Sequence, residues 1–292
     1  MFWKDLTNRA AFATGNFAKI FADLEVPPLP QLAVRVLQLA QQPDVDIDEL
    51  SRLISSDTGL AAKVLRLVNS SAFGLRHQVT DIRQAIVLIG PRWLQSLAMG
   101  ISTADSLPKR TEGFDRLVFW QDSLQRAVFA QCVAKTIAPG AQGEAFAGAL
   151  LQNMALPILL SRWGTHYLPI VEAARESERK LEEVETEQLT WNHAESGAWM
   201  ARNWGFTDVL VCCIGLHHGT AQQLQSLDLL RTPVAAVMVS SHLPDAEPIC
   251  REALDIQADR YREYCEATDA DCEQIAQLFD VPPPDRLASQ SE

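Results

Sequence analysis

The residues of this sequence that are best suited to chemistry are three histidines and one aspartate. Imidazole nitrogens and carboxylate oxygens bind metal ions when several of them converge on one point. The four candidates are Asp122, His193, His217 and His218. If the fold brings them together, they could form a partial metal site.

Each of these side chains also has an ordinary structural explanation. His193 stands in the first turn of a predicted helix, where capping and packing account for it. His217 and His218 lie at a predicted helix C-terminus, which favours a partly positive imidazole. Asp122 precedes Arg126 by four residues, the spacing of an ordinary surface ion pair on a helix. The sequence leaves both interpretations open.

A pair of neutral amides, Gln152 and Asn153, lies within the otherwise apolar segment 144–160. A helix that is apolar on nearly every side belongs in the middle of a bundle, and this one is too short to span a bilayer. We expect Pro157 to end or kink it. Amides can hydrogen-bond, but they cannot titrate, attack a substrate or hold a metal ion strongly. The centre of this predicted helix is therefore polar but chemically inert.

The elements that must position these residues are all predicted to be helices. Apolar residues recur at helical spacing along the chain, and no segment shows sustained alternation of apolar and polar residues, so the predicted fold is all-α. Asp46 and Asn192, each followed three residues later by Glu, indicate helix N-termini. We expect Thr80 to cap a third helix and residues 172–187 to form an acidic, exposed stretch.

The helical patterns also suggest how the chain is divided. The prolines of the segment PPLP end the first predicted helix, and residues 103–113 are the best candidate for a linker. The predicted units are an N-terminal helical extension (1–25), a main domain (26–243) made of two packed helical halves (26–103 and 114–243), and an acidic C-terminal segment (244–292).

The charge of the chain limits its partners. Lys and Arg number 25 and Asp and Glu 37, which gives a formal net charge of −12 and argues against binding nucleic acid or an anionic membrane. Residues 244–292 contain thirteen acidic residues and four arginines, and so carry nine of these twelve charges. We expect this segment to be partly helical and exposed.

The cysteines and the N-terminus indicate a compartment. The six cysteines contain no C-x-x-C pair, and three of them lie in apolar helical patterns, where thiols behave as small hydrophobic groups. Residues 1–4, MFWK, do not begin a secretory signal. The sequence therefore predicts a reducing, cytoplasmic environment.

Several blocks of this sequence resemble the HDOD family, a group of domains related to the HD and HD-GYP phosphohydrolases. The resemblance runs from about residue 26 to about residue 243. In order, the blocks are PPLPQLAVRVLQLA, DELSRLISSDTGLAAKVLRLVNSSAFG, TDIRQAIVLIGPRWLQSLA, FWQDSLQRAVFAQCVA, GALLQNMALPILL, HAESGAWMARNWGF and IGLHHG. This resemblance implies an all-α fold of two packed halves and a regulatory role in bacterial signalling, often beside cyclic-nucleotide or two-component pathways.

The resemblance also implies that an ancestral metal site has been lost. Catalytic relatives have a metal-binding histidine where this chain has Asp122, and the His-Asp pair that names them falls on Gln152 and Asn153. The Gly-Lys that follows in active relatives is replaced by Ala155 and Leu156. The vestigial positions are thus Asp122, Gln152, Asn153, His193, His217 and His218, with no resident metal or cofactor expected.

We therefore predict a non-catalytic regulatory module that acts by binding a protein partner of a bacterial signalling pathway, or a nucleotide ligand. One alternative is a metal-dependent phosphohydrolase with a site rebuilt from Asp122, His193, His217 and His218. A second alternative is a nucleotide sensor that binds without hydrolysis. The oligomeric state is left open.

Two surfaces are candidates for partner binding. The first is a groove between the two helical halves, edged by a turn-rich loop that could equally be structural. Its residues are Asn69, Ser70, Phe73, Gly74 and Arg76. The second is the acidic C-terminal segment, which would attract a basic partner.

Overall fold

The computed structural model describes residues 28–40, 45–70, 73, 75, 77–107, 113–279 and 282–287. Within these ranges it contains helices and no strands, so the prediction of an all-α fold is confirmed. The N-terminal extension predicted for residues 1–25 lies outside the described residues. The helices are α1 (Gln31–Ala40), α2 (Ile47–Ser55), α3 (Thr58–Val68), α4 (Ile82–Ile89), α5 (Pro91–Ser106), α6 (Arg116–Ile137), α7 (Gln142–Leu151), α8 (Ala155–Glu176), α9 (Leu181–Leu189), α10 (His193–Asn203), α11 (Asp208–Gly215), α12 (Ala221–Ser226), α13 (Pro233–Ser240), α14 (Glu247–Leu254) and α15 (Ala258–Ile275), followed by a short 3₁₀ helix, Ala276–Phe279.

Most of the predicted helix starts are correct. The carboxylate of Asp46 accepts the backbone N–H groups that open α2, and Asn192 forms a complete capping box at the start of α10. The prediction for Thr80 is wrong. Asp81 caps α4 instead, since its carboxylate accepts the backbone N–H of Gln84 at 2.8 Å. Asp is an equally good capping residue and lies one position closer to the first turn.

The predicted helix over residues 144–160 is wrong as a single element. Helix α7 ends at Leu151, residues 152–154 form a turn, and α8 begins at Ala155. Pro157 therefore lies in the first turn of α8, where a backbone N–H would have no helical acceptor and its loss costs nothing. The chain breaks at the amide pair, before the proline rather than at it.

Helix α7 lies at the centre of the molecule, as expected for a helix that is apolar all round. On one side, Trp93 of α5 lies directly over Gly143, where an added Cβ would sit 1.7 Å from the indole Cδ1 atom. On the other side, Gly148 allows α11 to approach, since a Cβ there would be 2.6 Å from the Cβ of Cys213. Helix α7 thus packs against both halves, and the two halves share one continuous hydrophobic core.

The predicted linker, residues 103–113, begins inside a helix. Helix α5 continues to Ser106, past the expected start of the linker at residue 103, and Thr103 is buried within it. Gly100 of the same helix packs against Ala147 of α7, since a Cβ at Gly100 would lie 3.3 Å from the Ala147 Cβ atom. The first half therefore contributes a full helix to the packing of the second.

The prediction that residues 244–292 are exposed is wrong for the inner face of α15. Tyr261, Tyr264, Cys265 and Cys272 are buried there, and rings of this face contact Phe129 of α6. Most of the acidic side chains occupy the opposite face, whereas Asp271 is buried with the inner face. This separation makes α15 an amphipathic helix that packs along α6.

Residues 142–176 are the part of the described chain that is long and apolar enough to cross a membrane by composition. Of its most apolar window, 83% is buried inside the fold, and the turn at residues 152–154 interrupts it. Core packing accounts for its apolar character.

Candidate functional site

The fold brings the three predicted histidines together. His193 is the first residue of α10, and His217 and His218 follow α11 after its C-cap residue, Leu216. One ring nitrogen from each lies within 4.8 Å of the others. His193 and His217 are buried and His218 is half-buried. We call these three residues the histidine cluster.

His193 is held by a buried carboxylate that the sequence analysis missed. One oxygen of Glu185, on α9, lies 2.7 Å from Nδ1 of His193 and accepts the backbone N–H of the same residue at 3.0 Å. The other oxygen accepts the O–H of Tyr167. Burial, together with Glu185, raises the pKa of Tyr167 well above its usual range, so the phenol keeps the proton that it donates.

Glu185 also corrects the prediction of an exposed stretch over residues 172–187, because its side chain is fully buried. The sequence did contain a signal. Leu181, Val184, Glu185 and Leu189 recur at the spacing of one helix face, so Glu185 lies among apolar residues. A carboxylate in such a position needs buried partners, since burying an unpaired charge is costly.

His217 has one free nitrogen. Its Nδ1 lies 2.6 Å from the backbone oxygen of Ile214, a geometry that assigns the ring proton to Nδ1. Its Nε2 is buried and has no hydrogen-bond partner in the described part of the chain. Burial, and then the neighbouring His193, lower the pKa of His217 well below its usual range. This imidazole is therefore neutral, with an unused lone pair.

His218 joins the cluster to the surface. Its Nε2 lies 2.9 Å from Nε2 of His193, and its Nδ1 lies 3.5 Å from a carboxylate oxygen of Glu182. Burial, and then His217 and His193, lower the pKa of His218. Because it is half-buried, His218 is the member of the cluster that a solute can reach.

The amide pair lies beside the histidine cluster. Gln152 is fully buried and neither atom of its side-chain amide has a hydrogen-bond partner in the described structure, and the same holds for Oδ1 of Asn153. Asn153 lines the same cavity as His193 and His218. The predicted vestigial positions on the α7–α8 turn are thus next to the imidazoles. Their unmet hydrogen-bonding capacity is unusual for buried groups.

This cavity has a volume of about 410 Å³, is partly open to solvent and is lined by His193 and His218. Its polar lining includes the cations Arg126 and Lys180 and the carboxylates of Glu182 and Asp245. Charges of both signs therefore face the same space. A cavity of this size holds a small ligand rather than a macromolecule.

Asp122 does not join this site. Its side chain is exposed and it is not among the residues that line the cavity. Arg126, one helical turn later, takes that place, and its Nη1 lies 3.4 Å from the backbone oxygen of Ser241, to which it donates. Sequence spacing identifies Arg126 only as a partner of Asp122, because nothing local shows which turn of α6 faces α13.

The described residues of the candidate interaction loop have structural roles. The amide of Asn69 bonds the backbone of Leu65 and, in both directions, that of Val79, at 2.7–2.8 Å. Ser70 is buried, and Phe73 stacks on Trp93 with ring centroids 4.6 Å apart. Gly74 and Arg76 lie outside the described residues.

Comparison with known proteins gives one family and several similar folds. The family model of the HDOD domain matches residues 26–220. An uncharacterized protein of Treponema pallidum is 25% identical over 224 residues, which cover 76% of this chain and 43% of that protein. Cyclic di-GMP phosphodiesterase CdgJ of Vibrio cholerae is 31% identical over 112 residues, which cover 37% of this chain and 24% of that protein. The chain therefore spans less than half the length of these curated relatives.

Solved structures share the fold. An HDOD domain protein of unknown function from Geobacter sulfurreducens superposes with a TM-score of 0.67 at 19% identity, covering 94% of this chain and 98% of that one. A candidate phosphohydrolase from Shewanella amazonensis gives a TM-score of 0.66 at 22% identity, covering 92% of this chain and 95% of that one. At these identities the similarity establishes the architecture and not the chemistry.

Proposed function

Because the chain belongs to the HDOD family, whose members are related to HD phosphohydrolase-like signalling proteins, we propose that it is a non-catalytic regulatory module of bacterial signal transduction. In this proposal it acts by binding a protein partner or a small ligand, on a scaffold inherited from the phosphohydrolases.

The amide pair is the observation that carries this proposal. Gln152 and Asn153 occupy the turn beside the histidine cluster, where the resemblance places the His-Asp pair of active enzymes. An amide is a weak, neutral ligand and cannot offset the charge of a divalent ion as a carboxylate does. It also cannot bridge two metal ions in the way that metal-dependent hydrolysis of phosphodiesters often requires. The nearby carboxylate of Glu185 is occupied by Tyr167 and His193.

A hydrolysis assay tests the absence of catalysis. The protein is incubated with cyclic di-GMP, and separately with a chromogenic phosphodiester, with and without Mn²⁺. We expect turnover at the background rate. Turnover that His193→Ala or His217→Ala abolishes, and that His166→Ala retains, would overturn the proposal. His166 is an exposed histidine of α8 and so controls for the loss of an imidazole elsewhere.

A metal-dependent phosphohydrolase is the second candidate function, because three imidazoles lie close together in the structure. It would need a rebuilt site without Asp122, which lies outside the cavity. The same assay decides between the two candidates, since a rebuilt enzyme would show metal-dependent turnover that disappears in the histidine variants.

The cavity beside His218 makes a small anionic ligand the third candidate, as for a nucleotide sensor that does not hydrolyse. Arg126 and Lys180 could contact phosphate groups, while Glu182 and Asp245 would oppose them. Calorimetric titration with cyclic di-GMP is the direct test. Saturable binding that is weakened by Arg126→Gln would support this candidate, and heats no larger than dilution would exclude it for this nucleotide.

If the partner is a protein, we propose that it binds at the edge of the groove, near the loop that contains Phe73, rather than at the acidic face of α15. A pull-down can compare Arg76→Ala with the double substitution Glu263→Gln and Glu266→Gln, both on the exposed face of α15. Deleting the C-terminal segment is unsuitable, because its inner face belongs to the core. If the double substitution of the glutamates abolishes partner binding and Arg76→Ala does not, the partner binds the acidic face of α15 and not the groove.

A further inference from the structure

The three rings of the histidine cluster are turned in the same sense, which the family resemblance does not require. The Nδ1 atom of each ring faces a protein oxygen: Glu185 Oε2 at 2.7 Å from His193, Ile214 O at 2.6 Å from His217, and Glu182 Oε1 at 3.5 Å from His218. The Nε2 atoms are therefore the nitrogens that remain for a metal ion, and those of His193 and His218 are already 2.9 Å apart. A histidine that binds a metal ion through one nitrogen almost always donates its other N–H to a carboxylate or a backbone carbonyl.

Two of these Nε2 atoms lie in contact, and the third has no hydrogen-bond partner in the described part of the chain. The Nε2 atoms of His193 and His218 are 2.9 Å apart, a hydrogen-bond distance at which the tautomer of each ring decides which of the two donates. The Nε2 of His217 is buried with no partner among the described residues. A metal ion bound by all three rings would take the place of this one hydrogen bond and would also use the lone pair of His217.

We propose that His193, His217 and His218 bind a single divalent metal ion of the zinc type through their three Nε2 atoms. Neutral imidazole nitrogens suit zinc, nickel or copper, whereas manganese and magnesium prefer the carboxylate oxygens that this site has lost. Two nitrogens on one tetrahedral zinc are about 3.3 Å apart. Nitrogens that already lie within 4.8 Å of one another need only small side-chain movements to reach this geometry.

The surroundings also fit a cation. The carboxylates of Glu185 and Glu182 lie next to the Nδ1 atoms of His193 and His218. One imidazole ring therefore separates each carboxylate from the Nε2 atom that would bind the ion. The open side of the cluster faces the cavity of about 410 Å³, whose wall includes the unpartnered oxygen of Asn153. A metal ion here would therefore be reachable from solution and would have a hydrogen-bonding group beside its open side.

This inference goes beyond the proposed function, since the ion can bind whether or not the module is an enzyme. If zinc binds and no substrate turns over, both proposals stand. If turnover is found, the proposed function falls and the metal site stands. If no metal binds, only the metal site falls.

The experiment uses the full chain, treated with a chelator and then desalted. Zn²⁺ is titrated against a chromogenic competitor, and Tm is measured with Zn²⁺, Mn²⁺ and Mg²⁺ at equal concentration. We expect one equivalent of zinc, a rise in Tm with zinc alone, and at least a hundred-fold weaker zinc binding in His218→Ala. His218 is half-buried, so its replacement should leave the fold intact. His166→Ala is the matched control and should bind as the unsubstituted chain does.

A second measurement avoids substitutions altogether. Long-range ¹⁵N–¹H spectra of the unsubstituted protein distinguish a protonated, a free and a metal-bound imidazole nitrogen. Zinc should shift three Nε2 signals together. No saturable binding, equal binding by His218→Ala, or unchanged Nε2 signals in zinc would overturn the proposal. A single proton shared between His193 and His218 would appear as one protonated Nε2 that zinc does not displace.

Discussion

Glu185 accepts two hydrogen bonds from the same residue, His193: one from the ring Nδ1, at 2.7 Å, and one from the backbone N–H, at 3.0 Å. The side chain and the start of α10 are therefore fixed by one carboxylate on a different helix. This double contact determines which ring nitrogen of His193 faces its neighbours. The chemistry available to the histidine cluster depends on it.

We expect Glu185→Gln to weaken zinc binding by about 10–100-fold, the usual cost of losing a carboxylate behind a metal-binding histidine. The glutamine keeps the size of the side chain but cannot hold His193 with the same charge. The measurement is zinc competition on the full chain. Glu187→Gln is the control, since Glu187 is on the same helix but exposed. Equal affinities for the two variants would show that Glu185 has only a packing role.

Restoring the ancestral pair should change both stability and metal preference. Gln152 is fully buried, so Gln152→His with Asn153→Asp introduces charge in the core and should cost several kcal/mol in the metal-free protein. Binding to the folded state should recover this loss, now with Mn²⁺ as well as Zn²⁺. Thermal unfolding with each metal provides the readout. A Tm that no metal raises would argue that the scaffold no longer holds the inherited geometry.

Acid should destabilise the metal-free protein through His217 and His218. Their folded-state pKa values are lowered, so below about pH 6.5 the unfolded chain binds protons that the folded chain does not. Stability is therefore fully present above this pH and falls as the pH decreases, by up to about 1.4 kcal/mol per pH unit for each histidine. Urea unfolding in EDTA at pH 7.5, 6.5 and 5.5 measures the slope. His217→Gln should make the slope shallower, and an identical slope would contradict this assignment.

The close contact between Trp93 and Gly143 predicts a sensitive position at the joint between the halves. Gly143→Ala puts a Cβ 1.7 Å from the indole, so the helices must shift, at a cost of about 1–3 kcal/mol or more. Gly164→Ala in α8 meets no atom within 4 Å and should be neutral, or stabilising by up to about 1 kcal/mol. Urea unfolding of both variants tests the pair. Equal stabilities would mean that α5 and α7 are not tightly packed.

Local signals in the sequence were enough to find the helices and most of their starts. Asp46 and Asn192 cap helices through groups two or three residues away, so a short window contains the whole interaction. Pro157 was harder, because proline is tolerated in a first helical turn as readily as it ends a helix. The break at residues 152–154 was therefore assigned to the wrong position.

The site depended on contacts that no local pattern contains. Glu185 meets Tyr167 and His193 across three helices, and Arg126 enters the cavity because of how α6 packs on α13. The family resemblance supplied the positions of the three histidines. It did not supply their orientation, which comes from oxygens on separate segments of the chain.

Helix α7 spans the distance between two features that are far apart in the sequence. Trp93, which carries the Phe73 ring, lies over Gly143 near its first turn, and Gln152 follows its last residue. Nine residues of helix separate these points, about 14 Å. Packed side chains on both faces prevent the helix from bending or compressing. Helix α7 therefore gives the Phe73–Trp93 contact in one half a direct, packed connection to the amide pair beside the histidine cluster in the other.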